Sequence, residues 1–136
     1  MDKRILDIVS SPADLKLLTN EELSILAQEV REEIITTASE TGGHVGSSLG
    51  AVEIILAVHS MMDCPHDKIV FDVGHQAYAH KLITGRLDEF RTLRTYGGLS
   101  GFPKPDESPY DVHPSGHASD SLSVALGLAE ARELRG

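Results

Sequence analysis

Aromatic residues and cysteine are scarce in this 136-residue chain, which has no tryptophan, three tyrosines, three phenylalanines and one cysteine. The single cysteine, Cys64, has no partner for an internal disulfide, so a disulfide-stabilised secreted domain is excluded. With 40% hydrophobic residues, the chain is still long enough to bury a core. The composition agrees with an ordinary domain in a reducing cytoplasm.

Basic residues are also in the minority, because 12 lysines and arginines face 21 aspartates and glutamates, for a formal net charge of −9. A surface for nucleic acid or for an anionic membrane needs a basic stripe. No apolar run reaches the roughly 20 residues of a membrane span, and no signal-peptide core follows the first four residues. We therefore predict a cytoplasmic protein that binds neither nucleic acid nor membrane.

Histidine, in contrast, is frequent, with seven residues, and the most informative one lies in a glycine-rich run. Residues 41–50 read Thr-Gly-Gly-His-Val-Gly-Ser-Ser-Leu-Gly and stand directly before an apolar helical pattern. A helix that starts at Ser47 or Ser48 would point its unpaired N–H groups back at this loop, which would favour an anion beside His44. A glycine C-cap followed by a serine N-cap would explain the same run without a ligand.

Helical patterns dominate the rest of the chain. Residues 19–22 have the Thr-x-x-Glu form of a capping box, and apolar residues recur behind it at helical spacing. Residues 49–62 are apolar on most sides, interrupted only by Glu53 and His59, so this helix must be covered on several faces. Further helices are expected at residues 77–83, at residues 87–93 and from Ser119 or Asp120 to the end.

One segment predicts a β-strand. Residues 68–73 form a short, β-branched run that ends at Gly74, as buried strands of α/β sheets do. A single buried strand would leave its N–H and C=O groups unpaired. We therefore expect an α/β fold that is mostly helical in this chain with one clear strand. The partner strands would lie beyond Gly136, across a homodimer, or in another chain.

Two more loops combine glycine with histidine. His75 directly follows the predicted strand, at the position where open α/β sheets bind ligands. Residues 113–119 place His113 and His117 in a Gly/Ser turn before the last helix, at the end of a long Gly/Pro-rich loop over residues 96–116. Loops of that length are usually functional or mobile. Each histidine alone is explained by a cap or a loop hydrogen bond, but three such loops predict a shared site for a phosphate-bearing ligand.

Zinc is the competing explanation for so many imidazoles. His113 and His117 are four residues apart, yet the proline and glycine between them disfavour the helical geometry in which such a pair binds one zinc. His75 and His80 are five apart and would point in different directions on a helix. Neither pair has a cysteine or carboxylate at ligand spacing, so we predict no metal site within this chain.

Several motifs follow one another in a characteristic order. They are residues 41–50, residues 71–78 with His80 and Lys81, residues 84–86, the run Gly-Gly-Leu-Ser-Gly-Phe-Pro at 97–103, and Gly116 with His117. This series resembles the amino-terminal domain of the 1-deoxy-D-xylulose 5-phosphate synthases. The resemblance runs from about Ile5 to Gly136, nearly the whole chain, and is far more specific than any one glycine-rich loop.

The resemblance implies an enzyme of the transketolase superfamily that uses thiamine diphosphate and magnesium. Such a transferase joins pyruvate to glyceraldehyde 3-phosphate, with loss of CO2, to give 1-deoxy-D-xylulose 5-phosphate, a precursor of isoprenoids, thiamine and pyridoxal. The cofactor supplies the difficult chemistry, and the protein binds it and handles protons. The resemblance also implies that residues 1–136 are a single incomplete domain, part of a parallel-sheet domain that binds thiamine diphosphate, in a homodimer.

Individual roles follow from the same resemblance. His75 would contact thiamine diphosphate, and Gly116, His117 and Ala118 would line its diphosphate side. His44 would lie near the reacting centre, so His44 and His75 are the candidate catalytic residues. Imidazole suits these roles because it can donate or accept a proton near neutral pH.

The chain departs from the family pattern in two places. Where the family usually reads Gly-His-Ser-Ser-Thr-Ser, residues 116–121 read Gly-His-Ala-Ser-Asp-Ser. Asp120 would repel a diphosphate, so we expect its carboxylate to face away from the site. The family's Gly-Asp-Gly magnesium motif and the glutamate that activates the cofactor are absent from this sequence, so the magnesium ligands are expected outside it.

These departures lead us to expect an amino-terminal fragment of such a synthase that is inactive by itself. Two alternatives stay open at this point. The chain is part of another, or split, transketolase-like enzyme, or it is a non-catalytic remnant that acts as a binding module. The Gly-Gly-Leu-Ser-Gly-Phe-Pro run favours the synthase.

Overall fold

The computed structural model describes residues 3–136, which form helices joined by turns and loops. No helix in this part of the chain is both long enough and apolar enough to cross a membrane. In chain order the helices are α1 (Pro12–Leu15), α2 (Asn20–Thr41), α3 (Val45–Gly50), α4 (Val52–Met61), α5 (Tyr78–Lys81) and α6 (Asp120–Arg135), with a π-helical turn at Leu82–Arg86 and a 3-10 turn at Phe90–Thr92.

The β-strand expected at residues 68–73 is absent, and residues 3–136 contain no strand. The prediction of one clear strand is therefore wrong. A strand exists only where its backbone N–H and C=O groups pair with a neighbouring strand, and the described part of the chain offers residues 68–71 no such neighbour. This apolar run instead forms irregular backbone beside α4.

Helix α2 confirms the capping-box prediction. The Thr19 hydroxyl accepts a hydrogen bond from the Glu22 N–H at 3.2 Å, and the Glu22 carboxylate accepts one from the Thr19 N–H at 2.7 Å. The inner face of the helix packs against α3, α4 and α5. Its buried apolar residues are Leu26, Ala27, Val30, Ile34 and Ala38, the apolar positions of the predicted helix apart from half-buried Leu23.

The region predicted as one helix over residues 49–62 is divided between α3 and α4. Val52, Ile55 and Leu56 face the core, but Ile54 is 67% exposed. Residues 3–136 therefore do not cover this apolar helix on several faces. Helix α6 starts where it was predicted, and none of its residues is buried within the described chain.

The long loop over residues 96–116 is tied to α5 and the π-helical turn by two carboxylates. Asp111, only 4% exposed, accepts hydrogen bonds from both terminal nitrogens of Arg86 and from the backbone N–H of Lys104, at 2.7–2.8 Å. Glu107 accepts from Lys81 and Arg86. The loop thus lacks secondary structure but is anchored by buried ion pairs.

A buried pair of histidines extends this cluster into α4. His80 Nε2 lies 2.8 Å from Asp111 Oδ1, and His80 Nδ1 lies 2.9 Å from His59 Nε2. Burial alone would raise the pKa of Asp111, but the hydrogen bonds from His80 and Arg86 hold that pKa well below its usual range. Because the carboxylate is therefore an acceptor, His80 donates to it through Nε2 and accepts through Nδ1 from the N–H of His59. The carboxylate thus sets the tautomers of both histidines.

We predict that Asp111→Ala lowers the free energy of unfolding by about 3–5 kcal/mol, because it leaves the guanidinium of Arg86 buried without its main partner. Chemical denaturation followed by circular dichroism measures the change. The matched control is Asp106→Ala, an exposed aspartate of the same loop, which should change stability by less than about 0.5 kcal/mol. Equal effects of the two substitutions would contradict the anchoring role of Asp111.

The histidine pair predicts a pH dependence of stability. Burial lowers the pKa of His59 to about 3 from its usual value of 6.5, and His80 lowers it further. Between these pH values the unfolded chain binds a proton that the folded chain excludes, so the free energy of unfolding should fall as the pH falls from 6.5 toward 3.

Replacing His59 with glutamine, which retains a donor but does not titrate, should make this fall shallower. Denaturation curves at a series of pH values test the prediction, with the exposed His66→Gln as the control that retains the wild-type slope. An unchanged slope in the His59 variant would refute it.

Candidate functional site

His44 and His75, predicted from two separate loops, meet in the structure. Their ring centroids are 5.4 Å apart in an edge-to-face arrangement. The backbone N–H of His44 donates to the hydroxyl of Tyr78, 3.2 Å away, which connects the glycine-rich loop to α5. The two candidate catalytic residues therefore form the centre of the candidate site.

The glycine-rich loop enters its helix earlier than predicted. Helix α3 begins at Val45 with His44 as its N-cap, and neither Ser47 nor Ser48 caps it. Ser48 is fully buried and donates its hydroxyl to the carbonyl of His75 at 3.2 Å. The predicted serine N-cap is wrong because Ser48 forms a contact between the two histidine loops instead.

The third histidine loop joins this centre through Asp72. The Asp72 carboxylate accepts from the backbone N–H of Ser119 at 3.0 Å and from the hydroxyl of Ser121 at 2.5 Å. Hydrogen bonds from Ser121 and then Ser119 lower the pKa of Asp72. A carboxylate that precedes the His75 loop thus holds the N-terminus of α6 beside that loop.

Gly74 is where the His75 loop and the third loop are in closest contact. Its φ of +84° lies in the left-handed region, and a Cβ built on it would lie 2.6 Å from Cδ of Pro103 and even closer to Oγ of Ser115. Only glycine fits this conformation and this space. Val73, directly before it, also has a positive φ, of 60°, which is costly for a β-branched residue and is found mainly at functional sites.

The residues predicted to line a diphosphate lie at the rim of the site. Gly116, His117 and Ala118 are exposed in the turn before α6, and no ring contact joins His117 to His44 or His75 in the described part of the chain. Asp120 Oδ2 lies 3.9 Å from Nε2 of His113. This carboxylate therefore faces the histidine loop, and its orientation relative to a diphosphate stays a prediction.

Buried polar atoms without hydrogen-bond partners concentrate around this site. Within residues 3–136 nine side-chain atoms are in this state, and six of them belong to the loops just described. Native proteins rarely bury polar groups without a partner, so such a concentration indicates a place where polar ligand groups bind. The six atoms are His44 Nδ1, His75 Nδ1, Gln76 Oε1, His113 Nε2, Ser115 Oγ and Asp120 Oδ1.

His44 is held in its neutral form. Burial lowers its pKa, and the neighbouring His75 and Arg94 lower it further. A neutral imidazole can accept a proton, and the buried Nδ1 of His44 has no hydrogen-bond partner. The arrangement is therefore suited to binding an anionic ligand beside a group that can take up or return a proton.

Metal binding receives no support from residues 3–136. No group of three or more histidine, cysteine, aspartate or glutamate side chains in this range is placed to hold a metal ion. His80, considered above as part of a zinc pair with His75, instead faces inward to His59 and Asp111.

Sequence reasoning did not identify three residues around His44. Phe102 packs against its ring with the centroids 5.7 Å apart, Tyr78 binds its backbone, and Arg94 contributes positive charge. Phe102 and Tyr78 lie in motifs that carry the family resemblance, but nothing in their spacing predicts a contact with residue 44. Only tertiary folding brings them together.

Comparison with known proteins gives a consistent result. The chain matches the profile of the family described as 1-deoxy-D-xylulose-5-phosphate synthase over residues 6–136. It is 65% identical over 133 residues to 1-deoxy-D-xylulose-5-phosphate synthase 2 of Geobacter sulfurreducens, which covers 98% of this chain and 21% of that protein. It is 61% identical over 132 residues to the synthase of Thermus thermophilus, which covers 97% of this chain and 22% of that protein. The chain thus spans about a fifth of the length of these relatives.

We predict that Gly74→Ala destabilises the protein by about 1–3 kcal/mol and separates the 96–116 loop from the His75 loop, because alanine is strained at this φ and collides with Ser115. Denaturation measures the first effect and hydrogen exchange of residues 102–116 the second. Gly127→Ala on α6, where a Cβ meets nothing within 4 Å, is the control and should be neutral or slightly stabilising. Wild-type exchange in the Gly74 variant would contradict the close contact.

Proposed function

Because the chain belongs to the 1-deoxy-D-xylulose-5-phosphate synthase family, we propose that it works as the amino-terminal part of an enzyme of this kind. The enzyme condenses pyruvate with glyceraldehyde 3-phosphate, with loss of CO2, to give 1-deoxy-D-xylulose 5-phosphate. It is a thiamine diphosphate-dependent transferase that acts as a cytoplasmic homodimer. The 136 residues by themselves are inactive, since the groups that bind magnesium and activate the cofactor lie elsewhere.

The observation that carries the proposal is the concentration of unpaired polar atoms around His44 and His75. Imidazole nitrogens and a hydroxyl on neighbouring loops match the needs of a ligand with phosphate oxygens and polar ring atoms. The exposed turn at Gly116 adds backbone without a side chain, which lets a phosphate approach closely. Thiamine diphosphate is such a ligand, so the residues present fit it.

Within that proposal His75 binds thiamine diphosphate, with Gly116, His117 and Ala118 along its diphosphate side. The close approach of Gly74 to Ser115 supports a shared ligand for these two loops. The bond from Ser48 to the His75 carbonyl holds the His75 loop in place while its side chain binds.

His44 is the proposed acid–base residue near the reacting carbon. Thiamine diphosphate supplies the bond breaking and bond making between the two substrates when it is bound. His44 accepts a proton at Nδ1 and returns it, a task for which its lowered pKa keeps the imidazole neutral beforehand. Arg94, whose positive charge acts on His44, provides positive charge for anionic substrate groups.

The proposal also accounts for the irregular backbone of residues 68–71. Residues 68–71 carry a strand-like apolar sequence, and a cavity of about 280 Å³ opens beside them, lined by α4 residues such as Ile54, Ile55 and Val58. We propose that residues 1–136 are one incomplete domain and that strands from the rest of the enzyme pair with this segment to build the parallel sheet.

The proposal is tested in the full-length protein by changing His75→Ala. Loss of one well-placed group in such a site costs about 2–4 kcal/mol, so we expect weaker thiamine diphosphate binding, lower turnover, or both. Calorimetric titration with thiamine diphosphate measures binding, and product formation from pyruvate and glyceraldehyde 3-phosphate measures turnover.

The control for this experiment is His66→Ala, which removes an exposed imidazole that forms no part of the site. It should bind the cofactor and turn over like the wild type. Identical behaviour of both histidine variants at limiting cofactor would remove His75 from its proposed role. Absence of product with the wild-type protein would overturn the proposed activity itself.

A further inference from the structure

Phe102 lies against the candidate acid–base residue. Its ring centroid is 5.7 Å from that of His44, with the ring planes inclined by 60°, while His75 contacts His44 at 5.4 Å. The imidazole of His44 therefore has an aromatic neighbour that offers it neither charge nor hydrogen bond. Such a neighbour affects His44 through its position, through the water it displaces and through the weak electrostatic field of its ring.

The backbone around Phe102 is held from both ends. The N–H of Ser100 donates to Glu107 at 2.6 Å, and the N–H of Lys104 donates to Asp111 at 2.7 Å. Between these two anchors, the N–H of Phe102 itself donates to the hydroxyl of Ser100 at 3.1 Å. The five residues 100–104 thus form a short bridge between two carboxylates, with Phe102 at its midpoint.

The two carboxylates are themselves fixed by buried hydrogen-bond donors, two of them cationic. Arg86 binds both of them, Lys81 binds Glu107, and His80 binds Asp111. Displacing the bridge would break charged hydrogen bonds in a buried environment, which are among the strongest in proteins. Phe102 is therefore fixed by the hydrogen bonds on both sides of it, although the loop has no secondary structure.

We propose that Phe102 is a positioning residue for His44, presented by the 100–104 bridge so that its ring fixes and shields the imidazole. The ring packs against one side of His44, and the backbone of His44 is held by Tyr78. A role of Phe102 in catalysis rests on the proposed function, whereas its contact with His44 does not.

Besides Phe102, three charged or polar groups act on His44. They are His75 and Arg94, both of which lower the pKa of His44, and the hydroxyl of Tyr78. The largest contribution to that lowering is burial, to which the ring of Phe102 contributes. Removing the ring admits water to His44, so its pKa should rise toward the usual value.

The test is an NMR titration of the full-length protein with 13C-labelled histidine, in which the His44 signal is identified by its loss in His44→Gln. We expect Phe102→Ala to move the titration of His44 to higher pH. Phe102→Leu, which retains apolar bulk without a ring, should move it less. Tyr96→Ala removes a fully exposed aromatic residue of the same loop and should leave it unchanged.

An unchanged His44 titration in folded Phe102→Ala would overturn the proposal, and so would an equal shift in the Tyr96 control. If Phe102→Ala does not fold, Phe102→Leu provides the test. It also lacks the ring, so the titration of His44 should still move to higher pH, and an unchanged titration would overturn the proposal. A further readout is the pH dependence of kcat/KM, whose acid limb should move to higher pH in Phe102→Ala together with the NMR titration.

The two readouts separate this proposal from the proposed function. A shifted His44 titration in a protein that forms no product would support Phe102 as a positioning residue and refute the synthase activity. Product formation with an unshifted titration would refute the role of Phe102 and leave the activity in place.

Discussion

The rest of this structure depends on the hydrogen bonds that the buried carboxylate of Asp111 accepts. Its two oxygens accept four hydrogen bonds, two from Arg86 and one each from His80 and the Lys104 backbone. These donors come from α5, the π-helical turn and the 96–116 loop, which Glu107 also joins through Lys81 and Arg86. A charge that is both buried and fully hydrogen-bonded holds such segments in one arrangement, because any alternative leaves it unsatisfied.

This cluster reaches the candidate site through the loop it anchors. Fixing Lys104 and Ser100 sets the position of Phe102 against His44, and the same loop continues to Ser115, which fills the space beside Gly74. In residues 3–136 the loop that packs against the His44–His75 pair is therefore held by buried ion pairs and not by a sheet. Burial lowers the pKa of His59 and of His80 inside this cluster, and it also lowers the pKa of His44 in the candidate site.

Residues 3–136 leave apolar surface uncovered on α4 and on α6. Ile54 on α4 borders the cavity beside residues 69–71, and α6 exposes Leu122 and Leu126. Apolar area of this kind is normally buried. It is consistent with a family whose members are about five times as long as this chain.

The sequence by itself determined the helices with strong local signals and the loops that carry the site. The capping box at Thr19 and the apolar spacing behind it specify α2 because both act within a few residues, and the motifs around His44, His75 and His117 identify the family. Tertiary structure decided the rest. Residues 68–73 have the composition of a strand but not its structure, since pairing depends on a distant partner. The partners of His59, Asp111 and Phe102 could not be predicted either. Their buried hydrogen bonds and ring contacts join residues that are 21 to 58 positions apart in the chain. At such separations the local sequence pattern carries no information about contacts.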